Sequence, residues 1–215
     1  MKEIFPGVFK DGKILYTINL TPGTRIYGEK LIKKDVEFRE WAAQRSKLAA
    51  AILKGLKTLP VKHAASVLYL GASTGTTVSH ISDIAGKEGA VYAVEFSERV
   101  FRNLLDLARQ RRNIVPLLAD ARKPDEYPWI EKCDVLYCDI AQPDQTEIAM
   151  RNFDEFVEEG YLLLVVKSQS IDVVKEPKKV YEEEKKKLEE SGFDVLELID
   201  LEPYEEKHAM IVAKK

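Results

Sequence analysis

The chain has 215 residues, of which 45% are hydrophobic, enough for one α/β domain with a sizeable core and a small additional module. Its net charge of −3 argues against a protein that binds nucleic acid unaided, because such proteins are normally basic. Only two cysteines, no apolar stretch long enough to span a bilayer and no signal-like N-terminus predict a soluble, cytoplasmic protein without a membrane partner.

The first 35 residues have the pattern of β structure. Asp11-Gly12 lies between apolar runs, which is a strong hairpin signal, and the alternation from Ile14 to Leu20 indicates a half-buried strand. Thr21-Pro22-Gly23 marks a second turn. We therefore predict a small N-terminal β module over residues 1–35 and a second domain over residues 36–215.

A helical period replaces this alternation between Asp35 and Lys57. Large apolar side chains recur there at helical spacing, namely Phe38, Trp41, Leu48, Ile52 and Leu56, and predict one long helix. The same region is basic, because seven basic residues exceed four acidic ones between Arg25 and Lys47. A solvated helix face and a surface for a polyanion are both open interpretations of this excess.

From Ser66 onwards, predicted strands and helices alternate. The strands cover 66–70, 90–95, 113–118, 134–139, 161–167, 193–201 and 208–213, and the helices cover 76–85, 98–110, 144–158 and 177–191. This alternation predicts an α/β fold with a mostly parallel sheet and helices on both faces. The connection 202–207 is too short for a crossover helix, so the last strand is predicted to be antiparallel.

The first of these strands ends in a glycine-bearing turn, Gly71-Ala72-Ser73-Thr74-Gly75. A P-loop is excluded because Gly75 precedes Thr76 and not lysine, and a dinucleotide fingerprint is excluded because its middle glycine is missing. The remaining pattern suits an adenosine without phosphates, as in S-adenosylmethionine. A turn that uses its glycines only for close packing is the alternative.

Acids at the ends of the next two strands strengthen the adenosine hypothesis. Glu95 is placed to accept both ribose hydroxyls, and Asp120 to accept from the adenine amino group while Ala121 lets the backbone approach. Phe96 either packs on the adenine ring or belongs to the core.

A second set of polar residues suits methyl transfer to an alcohol: Lys47, Asp139, Lys167 and His208. A sugar hydroxyl is a weak acid, and a lysine made less basic by a neighbouring cation and by burial can accept its proton. We prefer a neutral lysine as the base with Asp139 as the positioning group, and Asp139 as the base stays open. A snorkelling lysine and a structural histidine are the alternatives. No metal site is predicted.

Five segments resemble archaeal fibrillarin: GASTGTTVSHISDIAG, VYAVEFSERVFRNLL, LLADAR, DVLYCDIAQPDQTEI and HAMIVAKK. The resemblance covers nearly the whole chain. It implies a Rossmann-like S-adenosylmethionine-dependent methyltransferase fold and 2′-O-methylation of ribose in pre-rRNA and tRNA. The family usually has Gly-Ala-Ala-Ser-Gly where this chain has the turn Gly71 to Gly75, and both changed positions stay small or hydroxylated.

The resemblance also implies site residues and partners. With the turn residues, the expected cofactor contacts are Gly71, Ala72, Thr76, Thr77, Glu95, Phe96, Asp120, Ala121, Asp139 and Gln142, and the expected catalytic tetrad is Lys47, Asp139, Lys167 and His208. A box C/D guide RNA would select the target, with a Nop-type scaffold protein and a kink-turn-binding protein of ribosomal type. A non-catalytic scaffold subunit with the same fold is the alternative function.

Overall fold

The computed structural model describes all residues, 1–215. A five-stranded antiparallel sheet comes first, in the order β1-β2-β3-β5-β4, and it consists of β1 (Lys2–Phe5), β2 (Val8–Asp11), β3 (Ile14–Ile18), β4 (Leu31–Lys33) and β5 (Glu37–Trp41). The predicted hairpin is confirmed, because β2 and β3 pair antiparallel with Asp11 opposite Ile14.

The second sheet has seven strands in the order β11-β12-β10-β9-β6-β7-β8. Its strands are β6 (Ser66–Leu70), β7 (Ala90–Glu95), β8 (Ile114–Leu118), β9 (Val135–Cys138), β10 (Tyr161–Lys167), β11 (Asp194–Asp200) and β12 (His208–Lys214). The strand β12 is antiparallel to both of its neighbours, whereas β6 to β10 pair in parallel. The predicted α/β fold is therefore confirmed, including the antiparallel last strand.

Six α-helices accompany the sheets: α1 (Lys47–Leu53), α2 (Thr76–Ala85), α3 (Glu98–Gln110), α4 (Gln145–Phe156), α5 (Ser168–Ile171) and α6 (Pro177–Glu190). Short 3₁₀ turns cover Ala43–Arg45 and Pro124–Glu126. None of the helices combines the length and the apolar character that crossing a bilayer requires.

The seven-stranded sheet is buried on both faces. Successive side chains of a strand point to opposite faces, so Val67 and Tyr69 pack with α1, α2 and α3, whereas Leu68 and Leu70 pack with α4 and α6. Because both faces of β6 are buried, its sequence is a continuous apolar run and does not alternate between apolar and polar residues. It also leaves only the ends of the strands free for polar side chains.

The predicted long helix over Asp35 to Lys57 is wrong. The structure has β5, then a 3₁₀ turn, and a helix only from Lys47. In β5 the side chains of Arg39 and Trp41 share one face and are both buried, so tertiary contacts determine the strand and the apolar spacing matched a helix by coincidence. The Ser46 side chain accepts a hydrogen bond from Ala49 N and starts the helix there.

The small sheet is joined to the larger one by a buried ionic network. Arg39 lies between Glu29, at 2.7 Å, and Asp83 of α2, at 3.2 Å, and Asp83 also pairs with Arg111. All four side chains are fully buried or nearly so. Arg39 is therefore not part of a basic surface, and the small sheet continues through Trp41, beyond the predicted boundary at residue 35. The division into two domains stays a prediction.

A buried histidine completes this network. Its two ring nitrogens lie 2.8 Å from Thr17 Oγ1 and 2.8 Å from the Tyr27 hydroxyl, and its ring stacks on Trp41 with centroids 4.8 Å apart. Burial, and then the charges of Arg39 and Arg111, hold the pKa of this residue, His80, well below its usual 6.5. His80 is therefore neutral, and the two arginines balance the two carboxylates.

Candidate active site

The strand order of the larger sheet reverses between β6 and β9, since β7 and β8 lie on one side and β10 on the other. Ligands of open α/β sheets bind at the carboxyl ends of the strands at such a point. The loops that follow β6 and β9 touch here, because a Cβ on Gly71 would lie 2.7 Å from the carbonyl oxygen of Asp139. Gly71 also has a φ of +80°, so backbone conformation and space both require glycine.

The Glu95 carboxylate is held in a fixed orientation at the end of β7. Its Oε2 accepts a hydrogen bond from Ser73 N and its Oε1 accepts one from Ser97 N, each at 2.8 Å. A carboxylate oxygen has two lone pairs, so each oxygen keeps one for a further donor. This geometry suits the predicted pair of ribose hydroxyls.

Glu95 lines a cavity of about 250 Å³, which we call the Glu95 cavity. The predicted site residues in its wall are Gly71, Glu95, Phe96, Asp120, Ala121, Asp139, Gln142 and Lys167. Phe96 is 71% exposed, which excludes core packing and leaves its ring free to stack on a planar ligand. Asp120 Oδ1 accepts from Arg122 N at 3.0 Å, and its Oδ2 has no protein donor.

A second cavity, of about 240 Å³, adjoins the first and is called the Lys47 cavity. Lys47, Ala72, Thr76 and Thr77 line it, and Gly71, Ser73 and Asp139 line both cavities. The Thr77 hydroxyl donates to Ser46 Oγ at 3.0 Å. Since Ser46 is the N-cap of α1, Thr77 supports the start of the helix that carries Lys47.

The Asp139 carboxylate lies where the two cavities meet. Lys47 Nζ donates to Oδ2 at 3.2 Å. Lys167 Nζ is 2.8 Å from Oδ1 but donates its hydrogen bond to the main-chain oxygen of Asp139, also at 2.8 Å. Oδ1 is buried, and its ion-pair partner is the Lys167 ammonium, which is not aligned for a hydrogen bond to it. Because a carboxylate oxygen has two lone pairs, Oδ1 can also accept a hydrogen bond from a ligand at the junction of the two cavities.

His208 is the fourth member of the predicted tetrad. It lies beside Lys167, because β12 pairs with β10 and these two residues are register partners. Burial, and then the charge of Lys47, lower the pKa of His208 below its usual 6.5, and its Nδ1 has no hydrogen-bond partner. His208 is therefore a neutral imidazole at pH 7, and no hydrogen bond joins it to Asp139.

Several supporting residues were missed from the sequence. The hydrogen bonds of Ser73 N and Ser97 N to Glu95 come from the backbone, which no residue type signals. Ser46 precedes an apolar run and had the signal of an N-cap. The buried amide of Gln145, in the orientation that satisfies it, donates to Ile140 O at 3.1 Å and accepts from Lys167 N at 3.2 Å.

These residues together fit an adenosine that carries a positive centre. The Glu95 cavity offers a ribose acceptor and an exposed aromatic ring, and the Asp139 carboxylate offers a negative group in its wall. A family model described as Fibrillarin matches residues 1–215. The chain belongs to the fibrillarin family. The resemblance predicted from the sequence is thereby confirmed.

This fibrillarin-family chain is similar to known proteins over nearly the whole length of both chains. A protein of Saccharolobus islandicus named fibrillarin-like rRNA/tRNA 2′-O-methyltransferase is 54% identical, over 100% of this chain and 94% of the relative. The crystal structure of Aeropyrum pernix fibrillarin in complex with natively bound S-adenosyl-L-methionine has a TM-score of 0.87 and 45% identity, over 99% of this chain and 100% of that chain. A fibrillarin/Nop5p complex has a TM-score of 0.90 and 43% identity, over 99% of both chains.

Proposed function

We propose that this chain transfers a methyl group from S-adenosylmethionine to the 2′-hydroxyl of ribose in rRNA and tRNA. One observation carries the proposal: the Asp139 carboxylate lies at the junction of two cavities and is held by Lys47 on one side and Lys167 on the other. The family membership and the name of the Saccharolobus relative support the same reaction.

In this proposal the residues that line both cavities would hold the cofactor. Glu95 would accept the ribose hydroxyls, Phe96 would pack on the adenine, and Asp120 and Ala121 would contact the adenine edge. Gly71, Ala72, Thr76, Thr77, Asp139 and Gln142 would contact the rest of the molecule. When bound, S-adenosylmethionine supplies a methyl group on a positively charged sulfur, which leaves as a neutral thioether.

The tetrad then has two tasks, to orient the ribose and to remove its proton. Two lysines face one carboxylate and a neutral histidine, so one positive charge has no matching negative charge. We assign Lys167 as the base that takes the 2′-hydroxyl proton while the oxygen forms its bond to the methyl carbon. Lys47 holds Asp139 through Oδ2, and Oδ1 would orient the hydroxyl.

We also propose that the enzyme acts within a box C/D ribonucleoprotein. A chain with a net charge of −3 gains little phosphate affinity of its own, so guide RNA and partner proteins would deliver the substrate. The expected partners are a Nop-type scaffold, as in the fibrillarin/Nop5p complex, and a kink-turn-binding protein. A cytoplasmic location stays a prediction, supported by two buried free cysteines.

The test is a reconstitution of the chain with a guide RNA, a Nop-type protein and a kink-turn-binding protein. Transfer of tritiated methyl groups to a matching target RNA is expected, and a target with a 2′-deoxyribose at the selected position should take up none. Incorporation into the deoxy target would refute ribose methylation. If calorimetry detected no S-adenosylmethionine binding by the particle, the chain would be the alternative, a non-catalytic scaffold.

A further inference from the structure

Two exposed arginines of the basic region have no partner in the protein. The guanidinium groups of Arg25 and Arg45 form no ion pair and donate no hydrogen bond to another protein group, and both side chains are exposed. Arg39, for comparison, is buried between two carboxylates. An unpaired guanidinium that faces a cavity is a ready site for a planar, doubly accepting anion.

Arg45 contacts the buried network through the Tyr27 ring. Its guanidinium carbon lies 5.7 Å from the centre of the Tyr27 ring, in a cation–π arrangement. The Tyr27 hydroxyl lies 2.8 Å from the Glu40 carbonyl oxygen and 2.8 Å from His80 Nε2, so the ring cannot move freely. The buried network therefore holds the Tyr27 ring beside the Arg45 guanidinium and favours this orientation of the arginine.

Both arginines line one cavity of about 300 Å³, which we call the Arg25 cavity. This cavity shares Arg45, Thr74 and Thr76 with the Lys47 cavity, so a continuous groove runs from Asp139 past Lys47 to Arg25. One carboxylate, that of Asp106, also lines the Arg25 cavity, but it pairs with Arg109 at 2.8 Å. The cavity thus has two uncompensated positive charges.

We propose that Arg25 and Arg45 bind the phosphodiester backbone of the target RNA next to the methylated ribose. The inference rests on the proposed function, because it needs a ribose at Asp139. The carboxylate of the cofactor is the other candidate anion for this groove. The cofactor has an ammonium group next to that carboxylate, so its binding does not require two arginines. A phosphodiester chain that continues from the ribose meets both of them in succession.

The experiment compares Arg25→Gln, Arg45→Gln and the double variant in the reconstituted particle. Arg112→Gln is the matched control, because Arg112 is exposed, forms no ion pair and, two residues after the end of α3, does not line the Arg25 cavity. The double variant should raise the KM for target RNA about tenfold with little change in kcat, because a bound phosphate positions the substrate without touching the reacting atoms. The log–log salt dependence of target binding should become shallower by about 1 for each arginine removed.

Calorimetry of S-adenosylmethionine binding distinguishes the RNA phosphate from the cofactor carboxylate as the anion bound by the two arginines. The affinity for S-adenosylmethionine should be unchanged in all variants. If KM and salt dependence match those of Arg112→Gln, the phosphate site does not exist. Weaker cofactor binding with an unchanged KM for RNA would also overturn the proposal and assign the groove to the cofactor carboxylate. Wild-type particles that bind target RNA but transfer no methyl group would refute the proposed function alone, since the salt dependence of binding needs no turnover.

Discussion

Replacing Asp83 by alanine tests whether the buried network holds the two sheets together. Asp83 Oδ2 accepts from Thr17 Oγ1 at 2.7 Å and from Arg39 at 3.2 Å. Its Oδ1 accepts from Leu20 N at 3.0 Å and from Arg111. Arg39 keeps a second carboxylate when Asp83 is removed, but Arg111 loses the only one it has. The variant therefore leaves a positive charge in a site where the arginine side chains are fully buried.

The magnitude follows from these contacts. Breaking a buried ion pair by removing one partner costs about 3–5 kcal/mol, because the remaining charge is uncompensated. The Thr17 hydroxyl and the Leu20 N–H also lose their acceptor, at a net cost of about 1 kcal/mol each, of which entering water restores a part. We expect the free energy of unfolding to fall by about 4–6 kcal/mol. For a chain of this length, that lowers Tm by roughly 10–20 °C.

Differential scanning calorimetry of the variant measures this shift, and Asp106→Asn is the control. Asp106 also pairs with an arginine, but its side chain is 65% exposed, so its loss should change Tm little. A combined Asp83→Leu and Arg111→Met variant should recover much of the lost stability, since apolar residues often replace buried ion pairs without cost. A Tm for Asp83→Ala as high as that of Asp106→Asn would show that the network does not stabilise the fold.

Four further predictions concern pH, catalysis and binding. The pKa of His80 is well below 6.5 in the folded chain, so near pH 6 His80 binds a proton in the unfolded chain but not in the folded one. The free energy of unfolding should therefore fall as pH drops below about 6.5. Urea midpoints measured against pH should show this fall, and His80→Gln should flatten it. Lys167→Ala should abolish methyl transfer while calorimetry finds cofactor affinity within about twofold of the wild type; near-normal turnover would exclude Lys167 as the base. Glu95→Gln should weaken S-adenosylmethionine binding about 10–100-fold, because it loses a charged acceptor for two backbone donors and the ribose, whereas the exposed Glu98→Gln should bind normally. Thr77→Val should lower kcat through the displaced start of α1, and Thr77→Ser, which keeps the hydroxyl bonded to Ser46, should restore it; equal rates for both would contradict the supporting role.

The fold from Ser66 onwards was predictable because its signals are local. Helix 98–110 and strand 161–167 were predicted with the bounds that the structure has for α3 and β10, since amphipathic spacing and continuous apolar runs are visible within a few turns of chain. The segment 35–57 was not predictable in this way. The strand β5 contains Arg39, whose burial depends on Asp83, a residue 44 positions away, and no local pattern signals such a partner.

The contrast between local signals and distant contacts also applies to the site residues. Glu95, Asp139 and Lys167 end or follow parallel strands. The alternation of strands and helices along the chain therefore suffices to bring them together at the carboxyl ends of the strands. Lys47 reaches that edge only because Ser46 caps α1 and Thr77 holds Ser46, and His208 reaches it through the antiparallel register of β12. The tetrad is therefore assembled by two kinds of constraint. Substitutions of Asp139 and Lys167 at the strand ends should remove chemistry, whereas Thr77→Val should misplace Lys47 through the displaced start of α1. Because Thr77 also lines the Lys47 cavity, the loss of kcat beyond any loss of cofactor affinity is the quantity that measures its supporting role.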